Sequence, residues 1–155
     1  MQTTIDLKNQ NPIVRKKRVV LALGSNIEPR KQYIESAIKE IKENPEFRIL
    51  NITPMIENPA ILYENQPDFL NQVIEIETSM DPYELLNFVK VLEKKIGRKE
   101  RFRYGPREID IDILFYENLH IKSEILMIPH PGVYDRDYLK YLLRFIDISY
   151  YGFEK

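Results

Sequence analysis

Cysteine and tryptophan are absent from the 155 residues of the sequence, and glycine occurs only five times. Without cysteine, the chain forms no disulfide bond and no thiolate metal site, and its redox compartment stays unassigned. No apolar run approaches the roughly 20 residues that span a bilayer, and the N-terminus lacks the apolar core of a signal peptide. We therefore expect a cytoplasmic protein with no membrane partner.

Net charge is also small, because 23 Lys and Arg residues face 24 Asp and Glu residues. A net charge of −1 provides no overall basic field that would attract nucleic acid. The GxxxxGK[ST] motif of P-loop kinases is missing as well. With 43% hydrophobic and 30% charged residues, the composition is ordinary for a soluble domain. We expect one domain over residues 18–155, after a flexible leader over residues 1–17.

Residues 97–116, GRKERFRYGPREIDIDILFY, combine a run of arginines with an alternating segment. In the second half, isoleucines alternate with Asp110 and Asp112, which is the period of a β-strand. The two aspartate Cα atoms of such a strand lie roughly 6.5 Å apart, from a rise of about 3.3 Å per residue. The pattern therefore predicts two carboxylates on one face of a strand.

Two aspartates on one face repel each other, and a divalent cation would relieve that repulsion. Mg²⁺ prefers oxygen ligands and often binds one or two carboxylates together with substrate phosphates. Arginine has a fixed fork of donors that matches phosphate, and four precede the aspartates: Arg98, Arg101, Arg103 and Arg107. The combination indicates a polyphosphate site. The alternative is a polar strand that faces solvent, with its aspartates paired to those arginines.

Hydrophobic periodicity predicts a chain in which strands and helices interleave. We predict strands over residues 18–23, 47–52, 73–78 and the second half of 97–116, a hairpin arm over 121–126, and helices over 29–43, 81–96 and a C-terminal segment ending near 146. Residues 53–66 contain two prolines and no clear period, so we expect a long loop that closes over a site. This order is typical of an α+β fold, a ferredoxin-like α/β sandwich with a mostly antiparallel sheet and helices packed on it.

Capping residues predict the limits of two helices. Asp81 is suited to an N-cap, with Pro82 in the first turn and Glu84 at the third position. Gly97 follows at the C-terminal cap position. The cap of the last helix is predicted at Asp135 or Asp137.

Five further residues are candidates for contacting a ligand. Gly24 ends a buried strand, where glycine lets the backbone approach a ligand closely. Phe69 and Asn71 share a face of an extended segment and could stack on, and hydrogen-bond to, a planar heterocycle; the alternative is a core Phe and an edge Asn. Glu93 is either exposed or has a polar partner near the arginines. His130, fixed between two prolines, either donates to a phosphate or is an exposed loop residue.

Four segments occur together in one order: ALGSN at 22–26, QPDFLNQV at 66–73, GR at 97–98 with RYGPREIDIDIL at 103–114, and IPHPGVYDR at 128–136. The set closely resembles the 6-hydroxymethyl-7,8-dihydropterin pyrophosphokinases, over residues 19–146. The resemblance implies a ferredoxin-like α+β fold that is usually monomeric. It also implies transfer of the terminal pyrophosphoryl group of ATP to the hydroxymethyl group of the pterin, a step of folate biosynthesis that releases AMP and uses two Mg²⁺ ions.

The resemblance implies roles for the residues at matching positions. It places both magnesium ions at Asp110 and Asp112. It assigns catalysis to Arg98, Arg107, Asp110, Asp112 and Arg136. It places ATP at Leu86, Glu93, Arg107, Ile113 and His130. It places the pterin at Gly24, Asn58, Phe69, Asn71 and Tyr138, with the rings of Phe69 and Tyr138 on either side of the heterocycle.

Two departures from the family pattern leave questions open. Tyr104 stands where most members have Trp, and Glu100 stands where many have a second loop arginine. It is therefore open which of Arg98, Arg101 and Arg103 clamps the phosphates when a loop over residues 99–104 closes. The general base is open too, because the metal site lowers the pKa of the alcohol or a carboxylate takes its proton.

Two rival functions are compatible with this fold class. An RNA-binding module would have a basic sheet face and an aromatic RNP-type strand, but no K/R-G-F/Y-G/A-F motif occurs. The second rival is a non-catalytic nucleotide- or pterin-binding protein of the same fold. Glu100 and Tyr104 are the departures that leave this second possibility open.

Overall fold

In the part of the chain that the structure describes, the strands lie in three separate sheets. A computed structural model describes residues 3–6 and 11–153, with residues 3–6 and 11–14 described by their backbone alone. The strands in these ranges are β1 (Thr3–Asp6), β2 (Asn11–Val14), β3 (Lys17–Ser25), β4 (Phe47–Ile52), β5 (Ile56–Asn58), β6 (Phe69–Thr78), β7 (Asp110–Tyr116), β8 (Ile121–Lys122) and β9 (Met127–Ile128). The helices are α1 (Arg30–Glu43), α2 (Pro82–Ile96), α3 (Gly132–Asp135) and α4 (Asp137–Leu142), with 3₁₀ turns at Leu143–Phe145 and Ile148–Tyr151.

The main sheet has the strand order β4–β6–β3–β7, and β5 also pairs with β6. All of these pairings are antiparallel, so β3 is central and β7 is an edge strand. The prediction of mixed helix and mostly antiparallel sheet is confirmed. No helix in the described part of the chain is long and apolar enough to cross a membrane.

The N-terminal residues form a separate hairpin, because β1 pairs with β2 from Thr3↔Val14 to Asp6↔Asn11. β3 then begins at Lys17, next to the predicted domain boundary. Residues 1–2, 7–10 and 154–155 lie outside the described residues. The flexible leader over residues 1–17 stays a prediction.

The central strand β3 is apolar on both sides because both faces of the main sheet are covered. Val19, Leu21 and Leu23 pack in the cluster that includes the buried residues of α1 and α2. Val20 and Ala22 pack on the opposite face, with α4 and the 3₁₀ turns. A strand buried on both faces reads as a continuous apolar run, as the sequence predicts for residues 18–23.

α2 begins and ends where the sequence predicts. The Asp81 carboxylate accepts hydrogen bonds from the N–H groups of Tyr83 and Glu84, both at 2.9 Å. The Glu84 carboxylate accepts from the Asp81 N–H at 3.0 Å, which completes a capping box. At the other end, Gly97 has a φ of 128°, a conformation that favours glycine.

Several predicted element limits are wrong. The predicted loop over 53–66 contains β5, which pairs with the start of β6, and β6 itself begins at Phe69 rather than at residue 73. The hairpin arm over 121–126 is replaced by the short β8–β9 pair. Neither Asp135 nor Asp137 caps the last helix, because Arg136 occupies the N-cap position of α4 without a side-chain capping bond. The limits of these strands depend on pairing with segments that are distant in the sequence, and local propensity carries little information about that pairing.

Asp81→Ala tests the capping box. Removing its two accepted hydrogen bonds should lower the free energy of unfolding by about 1 kcal/mol, a typical loss for a helix cap. Asp137→Ala is the matched control, since Asp137 lies in the first turn of α4 without capping it, and its loss should be smaller. Urea unfolding followed by circular dichroism measures both, and equal losses would contradict the capping assignment.

Candidate active site

Sheet register brings the main candidate residues to one end of β3. Gly24 lies opposite Asn71 of β6 on one side and opposite Asp110 of β7 on the other. Ala22 lies opposite Asp112. Because side chains alternate along strands, these positions share one face of the sheet. The two aspartates therefore lie on one face, as their spacing predicts.

A cavity opens on this face, and we name it the aromatic cavity after the rings of Phe69 and Tyr138 that line it. It contains about 540 Å³ of space, a volume that includes the solvent at its open mouth. Gly24, Asn58 and Asn71 line the same cavity. The structure thus brings together all five residues that the sequence assigns to the pterin.

Gly24 leaves space that the neighbouring side chains fill. A Cβ atom on Gly24 would lie 2.6 Å from Asn71 Oδ1 and 3.5 Å from a Phe69 ring carbon. Asn71 also donates a hydrogen bond from Nδ2 to Asn58 Oδ1. The amide oxygen of Asn71 is therefore held against the backbone of β3, at the wall of the cavity.

Two loops form the rim of the aromatic cavity. Ile61 and Leu62 belong to the loop between β5 and β6, and Tyr104 belongs to the loop between α2 and β7. Leu62 and Tyr104 have positive φ angles of 73° and 63°, an uncommon conformation that costs about 1–2 kcal/mol in a non-glycine residue. Gln66 Nε2 donates to Tyr104 O at 2.7 Å and so connects the two loops.

A second cavity adjoins the first, and we name it the basic cavity. Its positively charged side chains are Lys90, Lys94, Arg98, Lys99, Arg101, Arg103, Arg107 and Arg136. Four acidic residues and one histidine also line it: Glu93, Glu100, Asp110, Asp112 and His130. The excess of cationic donors, five of them arginines, suits a phosphorylated ligand.

The two cavities meet at a shared wall formed by Arg107, Asp110, Asp112 and Arg136. Asp110 Oδ1 lies 2.8 Å from Arg98 Nη1, and Asp110 Oδ2 lies 3.6 Å from Arg107 Nε. Burial and the neighbouring charge of Asp110 raise the pKa of Asp112 to about 7. The shared wall therefore holds one carboxylate that is neutralised by arginine and one that is costly to ionise.

These two carboxylates fit a magnesium ion that also binds a phosphate. Among the described side chains, no three His, Cys, Asp or Glu residues are grouped so as to hold a metal by themselves. Mg²⁺ often takes one or two carboxylates and completes its shell with water and substrate phosphates. Burial, and then repulsion from Asp110, raise the pKa of Asp112, and the charge of a bound cation would act against both effects. Asp110 and Asp112 are therefore the residues that would hold the ion.

Arg107 presents a hydrogen-bond donor to the shared wall. Its guanidinium lies over the Phe69 ring, 4.9 Å from the centroid, and its Nη1 donates to Gly105 O at 2.9 Å. Its Nε is buried and has no hydrogen-bond partner within the described ranges. The nearest carboxylate oxygen, Asp110 Oδ2, lies 3.6 Å from this nitrogen, too far for a hydrogen bond. A buried donor without a hydrogen bond is costly, so this N–H group is suited to donate to an anionic oxygen.

Glu93 and Arg98 hold the free edge of β7. The Glu93 carboxylate accepts from the Ile111 N–H at 2.7 Å, and Arg98 donates to that carboxylate at 3.1 Å. Arg98 also donates to Asp110, which links the strand edge to the shared wall. Glu93 is only 2% exposed, so the exposed alternative is wrong and the polar-partner alternative is confirmed. Burial, and then the charge of Asp110, raise the pKa of Glu93.

His130 lines the basic cavity with one ring nitrogen directed toward the shared wall. Its Nδ1 accepts from the Gly132 N–H at 2.9 Å, and its Nε2 lies 3.9 Å from Asp112 Oδ1. Burial and the charge of Arg136 lower its pKa, which favours the neutral ring. Because Nδ1 accepts, the neutral ring carries its proton on Nε2. His130 is thus a donor at the cavity rather than a plain exposed loop residue.

Leu86 and Ile113 are the two candidates that the structure does not bring to either cavity. Ile113 is 4% exposed within the hydrophobic core, and Leu86 packs against the same cluster. Neither lines the aromatic or the basic cavity. Their place at the adenine stays a prediction.

Asn26 is a site residue that sequence reasoning missed, because a GSN turn is a weak signal by itself. Its Oδ1 accepts from the Arg107 N–H at 2.8 Å. Its Nδ2 donates to Gln66 Oε1 at 2.8 Å and to Pro67 O at 3.1 Å. The buried Asn26 amide therefore links Arg107 of the shared wall to the end of the loop that precedes β6. The available signal was a polar side chain placed directly after a fully buried strand.

Glu108 is the second missed residue. Its carboxylate accepts from Arg101 Nη1 at 2.6 Å and from Arg101 Nη2 at 2.7 Å, a bidentate pair. Glu108 is 5% exposed, and the hydrogen bonds from Arg101 lower its pKa to about 2. A run with four arginines and four acids offers many pairings, so the sequence did not indicate this one.

The Arg101–Glu108 pair makes stability depend on pH. The pair holds the pKa of Glu108 at about 2, below its ordinary value of 4.5. Its contribution is therefore complete above pH 4.5 and is lost as the pH falls toward 2. Across that window the parent protein should lose more free energy of unfolding than Glu108→Gln, which has no carboxylate to protonate. Urea unfolding at several pH values measures the difference, and parallel profiles would contradict it.

Known protein families provide an independent comparison. Residues 20–148 match the family model of 7,8-dihydro-6-hydroxymethylpterin-pyrophosphokinase (HPPK). The chain is 46% identical over 125 residues to the 2-amino-4-hydroxy-6-hydroxymethyldihydropteridine pyrophosphokinase of Aquifex aeolicus, covering 81% of this chain and 77% of that protein. It is 37% identical over 116 residues to the Bacillus subtilis protein of the same name, covering 75% and 70%.

Solved structures give the same fold at lower identity. A crystal structure of Plasmodium falciparum HPPK-DHPS with pterin and p-hydroxybenzoate aligns with a TM-score of 0.67 at 17% identity. The alignment covers 88% of this chain and 39% of that one, so the chain spans about two-fifths of the longer protein. From the family model and the two bacterial relatives, the chain belongs to the 7,8-dihydro-6-hydroxymethylpterin-pyrophosphokinase family.

Proposed function

We propose that the chain transfers the terminal pyrophosphoryl group of ATP to the hydroxymethyl group of 6-hydroxymethyl-7,8-dihydropterin and releases AMP, a step of folate biosynthesis. Two relatives are named as pyrophosphokinases of this dihydropteridine, which supports the proposal. The shared wall is the structural observation that carries it. Two carboxylates and two arginines lie between a cavity suited to a flat ring and a cavity suited to a polyanion.

The aromatic cavity binds the pterin in this proposal. Phe69 and Tyr138 supply ring faces for stacking on the heterocycle. The Asn71 amide donates to Asn58, which leaves its oxygen to accept from an N–H group of the pterin. Ile61 and Leu62, which sequence reasoning missed, add apolar contacts at the rim.

The basic cavity binds the triphosphate, and the transfer takes place at the shared wall. The hydroxymethyl oxygen attacks the β-phosphorus in line, and a new O–P bond forms there. The bond from the β-phosphorus to the oxygen that bridges to the α-phosphorus breaks, AMP leaves with that oxygen, and the alcohol proton is released. Arg98, Arg107 and Arg136 stabilise charge on the phosphoryl oxygens. Their donors are already positioned by the fold, so little reorganisation is needed.

Asp110 and Asp112 would hold the magnesium ions, of which we propose two. Bound Mg²⁺ supplies neutralisation of phosphate charge, the main electrostatic barrier to attack on a polyphosphate. His130 donates from Nε2 toward the same phosphates, and Glu93 keeps Arg98 at the strand edge. The loops that meet through Gln66 and Tyr104 exclude water when both substrates are bound.

The finer description of the fold and cellular context is part of the same proposal. The order β4–β6–β3–β7 with α1 and α2 on one face supports a ferredoxin-like sandwich. We also propose a single catalytic domain over residues 18–155, a monomer, a cytoplasmic location and no nucleic-acid partner.

Incubation with ATP, Mg²⁺ and hydroxymethyl-dihydropterin tests the proposal directly, with AMP as the expected nucleotide product. Asp110→Asn should fold normally and lose about a thousandfold or more in turnover, because a metal ligand at the reacting phosphate is lost. Asp147→Asn is the matched control and should keep parental turnover, because Asp147 is the N-cap of the 3₁₀ turn Ile148–Tyr151 and lines neither cavity. Formation of ADP, no nucleotide product, or near-parental turnover in folded Asp110→Asn would contradict the mechanism.

Gly24→Ala tests the place of the pterin. The added Cβ would lie 2.6 Å from Asn71 Oδ1, so the amide must move out of the position proposed to accept from the pterin. We expect the Kd for the pterin to rise about tenfold, as for loss of one or two hydrogen bonds, with binding of an ATP analogue nearly unchanged. Equilibrium binding of each ligand gives the comparison, and an unchanged pterin affinity in the folded variant would exclude this placement.

A further inference from the structure

Three of the four arginines between α2 and β7, namely Arg98, Arg101 and Arg103, have three different partners. Arg98 donates to Glu93 and Asp110. Arg101 forms the bidentate pair with Glu108. The Arg103 guanidinium lies over the ring of Tyr104, 4.8 Å from its centroid, and forms no ion pair with a carboxylate in the described part of the chain.

The Arg101–Glu108 pair closes the loop on itself. Glu108 immediately follows Arg107 of the shared wall, and Arg101 precedes it by seven positions along the chain. The Glu108 side chain is 6% exposed and that of Arg101 is 30% exposed. Lys99 N–H also approaches the same carboxylate, at 3.4 Å. Glu108 therefore contacts the beginning of the loop as well as its middle, directly beside Arg107.

Its pairing with Glu108 makes Arg101 poorly suited to bind a phosphate. If Arg101 moved to a triphosphate, Glu108 would remain as a nearly buried carboxylate without its cation. Breaking a buried ion pair by removing one partner is strongly unfavourable. A polyanion bound in the basic cavity would add repulsion to that cost. The geometry therefore favours Arg101 remaining with Glu108 when the nucleotide binds.

No carboxylate in the described part of the chain holds Arg103 in the way that Glu108 holds Arg101. Arg103 is exposed and lines the basic cavity. Stacking over Tyr104 occupies one face of the guanidinium and leaves its N–H groups at the edge free to donate. Tyr104 itself lines both cavities, so the stacked pair lies where the two cavities join.

We propose that Glu108 is a positioning residue that retains Arg101 within the loop, and that Arg103, rather than Arg101, joins Arg98 and Arg107 in binding the triphosphate. This inference rests on the proposed function, because it assigns a ligand contact within the same site. It also answers the question left open by the sequence, which contains three candidate arginines between residues 98 and 103.

Equilibrium binding of Mg²⁺ with a non-hydrolysable ATP analogue tests the assignment without turnover. Arg103→Ala should weaken binding about tenfold or more, as expected for lost hydrogen bonds to a charged group. Arg103→Lys should recover part of that loss. Arg101→Ala within a Glu108→Gln background should change binding less than threefold, because neither charge is then left unpaired. Pterin binding should stay near parental in all of these variants.

The double variant also keeps the test interpretable if Arg101→Ala alone misfolds. Arg101→Ala alone leaves Glu108 unpaired and can unfold the loop, whereas Arg101→Ala with Glu108→Gln removes both charges. The inference is overturned if Arg103→Ala binds the analogue like the parent. It is also overturned if Arg101→Ala in the Glu108→Gln background weakens binding about tenfold.

Failure of the proposed function gives a different result. A parent protein that binds the analogue and forms no AMP with hydroxymethyl-dihydropterin contradicts the transfer reaction. The effect of Arg103→Ala on analogue binding is measured independently of that outcome. A parent that does not bind the analogue contradicts both proposals.

Discussion

Repulsion between two carboxylates on one strand face is the constraint around which this site is built. Asp110 and Asp112 are held on that face by their spacing in β7 and by pairing with β3. Arg98 and Arg107 lie close enough to compensate the charge of Asp110. Asp112 has no comparable arginine contact among the described residues, and its pKa rises to about 7. The arrangement carries an electrostatic cost that a bound cation would relieve.

The scaffold around the carboxylates connects the aromatic cavity and the basic cavity. The central strand β3 places Gly24 between Asn71 and Asp110, one at each cavity. Directly after that strand, Asn26 binds the backbone of Arg107 and the side chain of Gln66. Displacement of either loop therefore disturbs contacts at both cavities. Such coupling suits a reaction in which a flat acceptor and a polyphosphate donor must be enclosed together.

Local sequence patterns were sufficient for the features that depend on local physics. The period of two placed both aspartates on one face, and the capping residues of α2 gave its limits to within a residue. The spacing of Phe69 and Asn71 likewise predicted a common face, although β6 begins earlier than the periodicity indicated.

Features that depend on partners far apart in the sequence could not be predicted from local patterns. β5 exists because it pairs with β6, and nothing in its three residues distinguishes it from the loop around it. The pairing of Arg101 with Glu108 was one of many that the charged run allowed. Glu93 was unresolved for a related reason, since only the fold shows that it accepts from the Ile111 N–H at the edge of β7. Family resemblance, rather than periodicity, supplied the individual ligand roles.

We propose above all that Asp110 and Asp112 bind a cation that also contacts the nucleotide. A crystal structure with Mg²⁺, a non-hydrolysable ATP analogue and hydroxymethyl-dihydropterin tests it most directly. We expect a cation in contact with both carboxylates, the triphosphate in the basic cavity and the pterin between Phe69 and Tyr138. A complex in which both ligands are bound but no cation contacts either carboxylate would contradict it.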